Sequence, residues 1–156
     1  STISFQHGSV IRLPLSFDVI AHQRNHIELY GDKGSIIVPD PNMFGGSVYT
    51  CKKLGDPWKE HKTNKMPLGK INIRSQSSRA NESSTNSNYR GAGLAEMAYS
   101  IQNKKINKCN GELSLHILDI IQSTMTACKN GKVQLIKTTC KKPQPFSLKE
   151  VRKILR

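Results

Sequence analysis

Two strand-like runs of the sequence are separated by Val38-Pro39-Asp40-Pro41-Asn42-Met43-Phe44-Gly45-Gly46. The stretch lacks the Asn-Gly or Asp-Gly pair that a short hairpin uses. Its prolines fix their own φ angles and keep the preceding residues out of the helical region, which predicts an extended, stiff display of Asp40 and Asn42. A rigid loop with a carboxylate and an amide is a candidate contact surface for a polar ligand. The alternative is a proline-stiffened turn whose aspartate caps its own backbone.

The strand-like patterns occupy the first part of the chain and the helical patterns the second. Period-two alternation predicts strands at 10–19, 27–30, 35–38, 47–51 and 58–62, with a further short strand at 133–136. Helical spacing predicts helices at 91–103, between Asn110-Gly111 and Asn130-Gly131, and after the capping box that starts at Ser147. The apolar stripe of the middle helix is expected to be core.

This order predicts an α+β fold with an open, mainly antiparallel sheet and helices on one face of it. The uncovered face then needs a partner. A length of 156 residues suits one domain, placed at 1–145, with a helical extension at 146–156. Residues 75–88 are rich in Ser and Asn and offer no apolar face, so a mobile loop is expected there.

Several classes of protein are not favoured by the composition. No run of 18 apolar residues exists, and no secretory leader precedes the opening strand pattern, which suggests a fragment. The cysteines are dispersed and form no C-x-x-C pair, and there is no H-E-x-x-H pattern, so no metal site is expected. Unpaired cysteines favour the reducing cytoplasm.

The chain is strongly basic, with a formal net charge of +13. Such an excess favours polyanionic partners such as nucleic acid. However, the lysines and arginines are scattered and lack interleaved aromatic residues, which is more typical of a lysine-rich surface. A stand-alone basic binding module therefore remains an alternative function.

The order of five segments closely resembles the C-terminal domain of the glucose–fructose oxidoreductase / inositol dehydrogenase / MocA (GFO/IDH/MocA) family, over residues 1–145. These segments are Ser16-Phe17-Asp18-Val19-Ile20-Ala21-His22, Ile27-Glu28-Leu29-Tyr30-Gly31 with Gly34-Ser35-Ile36, Pro39-Asp40-Pro41-Asn42-Met43-Phe44-Gly45-Gly46, Arg90-Gly91-Ala92-Gly93-Leu94-Ala95-Glu96-Met97, and Asn110-Gly111-Glu112-Leu113-Ser114-Leu115-His116-Ile117-Leu118-Asp119.

The resemblance implies a substrate-binding domain that pairs with an N-terminal Rossmann domain and forms dimers or tetramers through its open sheet. Whole enzymes of the family move hydride between NAD or NADP and a sugar, polyol or similar small molecule. This chain contains neither G-x-G-x-x-G nor the Glu-Lys-Pro that supplies the family's lysine. We therefore expect no cofactor-binding or catalytic residue in it, and no activity without a Rossmann half.

Five residues are candidates for contacting the substrate: Asp40, Asn42, His22, Arg90 and His116. Asp18 and His22 match the family's D-x-x-x-H spacing, but no glycines precede them, so no catalytic role is transferred. Arg90 enters a glycine-rich helix start that suits an anionic group. His116 shares a helical face with Glu112 and Asp119, which suits either a proton relay or a solvated stripe. A purely structural dimerisation domain is the third function left open.

Overall fold

The protein has an α+β fold in this computed structural model, which describes residues 1–14, 16, 18–70, 86–87 and 89–155. The predicted class is confirmed, with a four-stranded antiparallel sheet and three helices in the described residues. The elements are β1 (Thr2–Ser4), β2 (Val10–Arg12), β3 (Ile27–Gly31), β4 (Gly34–Val38), β5 (Phe44–Gly45), β6 (Ser47–Cys51), β7 (Lys59–Lys62), β8 (Asn86–Ser87), α1 (Ala92–Gln102), α2 (Gly111–Asn130) and α3 (Leu148–Ile154).

The main sheet has the strand order β3-β4-β6-β7, and every neighbouring pair in it is antiparallel. The predicted hairpin and the strands at 47–51 and 58–62 are confirmed. Leu29 pairs with Ile36, and Ile36 with Thr50, so these three residues lie on one face. The same face carries Ile27, Val38 and Val48. Its basic side chains, Lys59 and His61, both belong to β7.

Local sequence signals account for the helix ends. Asn110 caps α2 by accepting a hydrogen bond from the Leu113 amide at 2.9 Å, and Gly131 ends it in the left-handed region at φ +68°. Ser147 and Glu150 form the predicted capping box of α3.

The chain divides into two compact units. The first consists of Ser1–His22 and Ile106–Gln144, and the second of Gln23–Lys105 and Pro145–Arg156. In the second unit α3 contacts α1, and Ala92 and Ile154 are the buried apolar side chains of the described residues. In the first unit Leu118, Ile121 and Met125 of α2 are about half exposed, so the expectation that this stripe is core is wrong.

One strand prediction is confirmed only in part, and another is wrong. Among the described residues of the run at 10–19, which exclude 15 and 17, only Val10–Arg12 forms a strand, and Pro14 lacks the amide that a ladder needs. The segment 133–136 is irregular, and just beyond it the amides of Lys137 and Thr138 donate to the Asp119 carboxylate instead of to a strand. The loop predicted at 75–88 lies outside the described residues, apart from Asn86 and Ser87 in β8.

Candidate functional site

The proline loop that follows β4 is a turn closed by its own aspartate. The Met43 amide donates to the Asp40 carbonyl at 3.1 Å, and the Asn42 amide donates to Asp40 Oδ1 at 2.9 Å. Pro41 suits the second position of such a turn because its φ is already fixed. The expectation that Asn42 is held extended is therefore wrong, whereas the self-capping alternative for Asp40 is what the geometry shows.

The second oxygen of the Asp40 carboxylate faces a histidine. Its Oδ2 lies 3.6 Å from Nε2 of His26, the residue that immediately precedes β3. The antiparallel register explains the approach, because Ile27 pairs with Val38 and the two strands bring their flanking residues together. The His26 and Asp40 side chains are 49% and 32% exposed, so the pair is accessible from solvent.

Asp40 also borders an open cavity of about 280 Å³ in the second unit. Most of the described lining is apolar, and Asp40 and Thr63 are the residues of that described lining whose side chains carry oxygen. The lining residues are Val38, Pro39, Asp40, Pro41, Met43, Gly45, Val48, Thr63, Met66, Pro67 and Gly69. A mostly apolar concavity with a few fixed polar groups is the usual form of a small-molecule site.

A second group of lining residues belongs to the turn at residues 63–69. The Met66 amide donates to the Thr63 carbonyl at 2.8 Å, and the Gly69 amide donates to the Met66 carbonyl at 3.1 Å. The Thr63 hydroxyl donates to the Gly46 carbonyl at 2.6 Å, which ties this turn to the proline loop.

Gly45 makes the close approach of these segments possible. It adopts φ +76°, and a Cβ on it would lie 3.0 Å from the Gly69 carbonyl oxygen and 3.1 Å from the Ser87 hydroxyl. The Ser87 side chain is only 4% exposed, and its hydroxyl has no hydrogen-bond partner in the described residues. A buried hydroxyl is thus left behind the glycine that lines the cavity.

The other predicted residues are not among the described residues that line this cavity. Asn42 is exposed at the third position of the Asp40–Met43 turn, and Arg90 is exposed one residue before Gly91, the N-cap of α1. His22 and His116 belong to the first unit. Thr63, Met66 and Ser87 were missed, because Thr63-Asn64-Lys65-Met66 has the composition of an ordinary turn and carries no signal of a site.

His116 belongs to a hydrogen-bonded cluster between α2 and the segment that follows it. Thr138 donates its hydroxyl to Asp119 Oδ2 at 2.9 Å and lies 3.0 Å from His116 Nδ1. Since that hydroxyl has one proton, Nδ1 of His116 is the donor of the second bond. The Thr138 amide and hydroxyl hold the pKa of Asp119 below its ordinary value, with smaller contributions from the Lys137 amide and the Ser123 hydroxyl. The cluster attaches the segment to the helix, and no carboxylate in it is available for another ligand.

The described residues contain no group of three or more His, Cys, Asp or Glu side chains that could hold a metal ion. None of the helices among them has the length and apolar character required to cross a membrane. No family model matches the chain, and neither a curated protein nor a solved structure matches it significantly.

Proposed function

We propose that this chain is the substrate-binding and dimerisation domain of an NAD(P)-dependent oxidoreductase that acts on a sugar, a polyol or a similar small molecule. The observation that carries the proposal is the cavity beside the Pro39-Asp40-Pro41 turn. This turn belongs to the ordered segments that resemble the GFO/IDH/MocA family. The antiparallel sheet from which it emerges supports the same proposal.

The residues of this chain do not fit a dinucleotide. Gly91-Ala92-Gly93 is the nearest approach to a G-x-G-x-x-G motif, but Glu96 stands where the third glycine would be. A dinucleotide-binding turn connects a strand to a helix and lays the pyrophosphate on the helix N-terminus. In the proposed enzyme NAD or NADP would therefore be held by a separate Rossmann domain, and this chain alone would be inactive.

The role of this chain is then to hold the substrate. Asp40 is fixed by its bond from the Asn42 amide, so its carboxylate can accept from a substrate hydroxyl with little loss of side-chain freedom. Met43, Met66 and Pro67 provide an apolar wall for the C–H face of a sugar ring. Such positioning lowers the entropic cost of bringing a substrate carbon to the reacting group of another domain.

The sheet face that carries Leu29 and Ile36 is proposed as the dimer interface. These side chains are 53% and 37% exposed, and the β3 and β4 positions of that face bear no charge. Two chains of charge +13 can therefore meet there without opposing like charges at the centre. A second copy is the proposed occupant because an isologous contact places the same uncharged face on both sides.

The proposal is tested first by reading the coding sequence upstream of Ser1. We expect a strand–G-x-G-x-x-G–helix unit and a downstream Glu-Lys-Pro. A start codon directly before Ser1, without such a unit, would contradict the proposal and favour a binding or assembly domain.

The full-length protein is then assayed for NAD(P) reduction with a panel of sugars and polyols. Asp40→Ala is expected to lower kcat/KM by about tenfold or more, because it removes a charged hydrogen-bond acceptor. The matched control is Asp32→Ala, which removes an exposed carboxylate from the β3–β4 turn. A full-length protein inert with every NAD(P)-linked substrate would refute the proposal.

A further inference from the structure

The cavity beside Asp40 is unusually poor in backbone hydrogen-bond donors. Three of its lining residues are prolines, which have no amide hydrogen. Three more donate their amides within turns: Met43 to the Asp40 carbonyl at 3.1 Å, Met66 to the Thr63 carbonyl at 2.8 Å, and Gly69 to the Met66 carbonyl at 3.1 Å. Six of the eleven lining residues therefore offer a ligand no backbone donor.

The lining side chains also offer few hydrogen-bond donors. Among them only Thr63 has a donor, and its hydroxyl proton is already given to the Gly46 carbonyl at 2.6 Å. Asp40 is an acceptor when ionised. The described lining contains no Lys, Arg or His, and His26, whose Nε2 lies 3.6 Å from Asp40 Oδ2, is not part of it. The chain as a whole nevertheless has a formal net charge of +13. The described part of the lining thus offers acceptors rather than donors, on a protein that is rich in cations.

This distribution selects against anions. A phosphate or carboxylate needs charged or amide donors to replace its hydration, and it would meet the Asp40 carboxylate instead. Ligand hydroxyls, in contrast, can donate to the remaining lone pairs of the Asp40 carboxylate, whose Oδ2 also faces His26, and to the lone pairs of the Thr63 oxygen. A cationic ligand would suit Asp40 locally, but the net positive charge of the chain repels it during approach.

We propose that this cavity selects a neutral polyol or sugar and rejects the phosphorylated or carboxylated forms of the same molecule. The inference rests on the proposed function for the class of ligand, and it specifies the charge state of that ligand. It assigns Asp40, Thr63 and the three prolines a role in specificity, since the prolines remove donors that an anion would need.

Methionine methyl groups provide a direct test in the full protein. Of the four methionines in these 156 residues, Met43 and Met66 line the cavity, whereas Met97 and Met125 lie on α1 and α2 and serve as internal controls. We would titrate protein carrying ¹³C-methyl methionine with glucose, glucose 6-phosphate and glucosamine. Glucose is expected to shift the Met43 and Met66 signals, with an affinity about tenfold or more above that of the phosphate ester.

Three outcomes would overturn the inference. They are glucose 6-phosphate binding as tightly as glucose, glucosamine binding more tightly than glucose, and no shift at Met43 or Met66 with glucose at high millimolar concentration. The readout needs no NAD(P), so it separates the two proposals. Binding of the neutral sugar by a full-length protein that turns over no member of the sugar and polyol panel would refute the proposed enzymatic function, while turnover that prefers the phosphate ester would refute only this inference.

Asp40→Asn gives the matched variant. Asparagine keeps the oxygen that accepts from the Asn42 amide, removes the negative charge and adds two donors. The preference for glucose over glucose 6-phosphate should fall by about tenfold. Asp32→Asn removes the same charge from the exposed β3–β4 turn, and there the preference should persist. An equal fall in both variants would show that net charge, rather than the cavity, sets the preference.

Discussion

At the scale of single residues, Asp119 supports a prediction about pH. Four hydrogen bonds converge on its carboxylate, and they lower its pKa, the Thr138 amide most of all. A carboxyl with a depressed folded pKa stabilises the fold above its unfolded pKa, and this stabilisation is lost as the pH falls through the folded pKa. We expect Asp119→Asn to lower the urea midpoint at neutral pH and to flatten the pH dependence of that midpoint below about pH 4.

The measurement is urea unfolding over a pH series, together with amide hydrogen exchange at Lys137 and Thr138. Exchange at both amides should accelerate in the variant, because their acceptor carries less charge. Asp32→Asn, in the exposed β3–β4 turn, is the control. Parallel pH curves for the wild type and Asp119→Asn would contradict the prediction.

Gly34 supports a steric prediction at the same scale. It begins β4 at φ +134°, and a Cβ there would lie 2.5 Å from the Cys51 carbonyl oxygen. Gly34→Ala should therefore cost about 2 kcal/mol or more in the free energy of unfolding. Gly55→Ala is matched, because Gly55 has φ +86° with open space around it and so retains backbone strain without the clash. Equal losses, measured by chemical denaturation, would exclude the clash as the cause.

At the scale of elements, the capping box predicts the stability of α3. Ser147 Oγ accepts from the Glu150 amide at 3.2 Å, and Glu150 Oε2 accepts from the Ser147 amide at 2.7 Å. Ser147→Ala should cost about 1 kcal/mol in thermal or urea unfolding. Glu150→Gln keeps the reciprocal bond and should cost clearly less. A cost for Glu150→Gln as large as that of Ser147→Ala would contradict this account.

Elements with local signals were predictable, and elements that depend on distant partners were not. Asn110 and Gly131 mark the ends of α2 because a cap acts within a few residues of itself. Nothing local to 133–136 reveals that the amides beyond it are taken by Asp119, some 18 residues away. Asp40 was found because prolines flank it, whereas Thr63 and Met66 line the cavity because the pairing of β6 with β7 brings the turn after β7 back toward the proline loop. Tertiary context supplies what sequence periodicity cannot.

At the scale of the whole molecule, two possible functions predict opposite effects of salt: one on the affinity for nucleic acid and the other on the stability of a dimer. If the +13 chain binds nucleic acid, its cations displace counterions from the phosphates. Added salt then weakens the complex, because the release of these counterions is less favourable at high salt concentration. If it dimerises through the uncharged positions of β3 and β4, added salt screens the repulsion between the copies and strengthens the dimer. Salt titration therefore separates the basic binding module from the dimerisation domain.

We expect the wild-type chain to have twice its mass of 17.4 kDa by light scattering, and the dimer fraction to rise with salt. Ile36→Lys places a charge at the centre of the proposed interface and should yield monomers. Leu54→Lys adds the same charge at a fully exposed position in the β6–β7 turn and should leave the dimer intact. Both variants gain one positive charge, so a difference in their dimer fractions would show that Ile36 lies in the dimer interface and would not be explained by repulsion between the net charges. A wild type that is monomeric at every concentration, or equal dissociation of both variants, would show that this face of the sheet does not form the dimer.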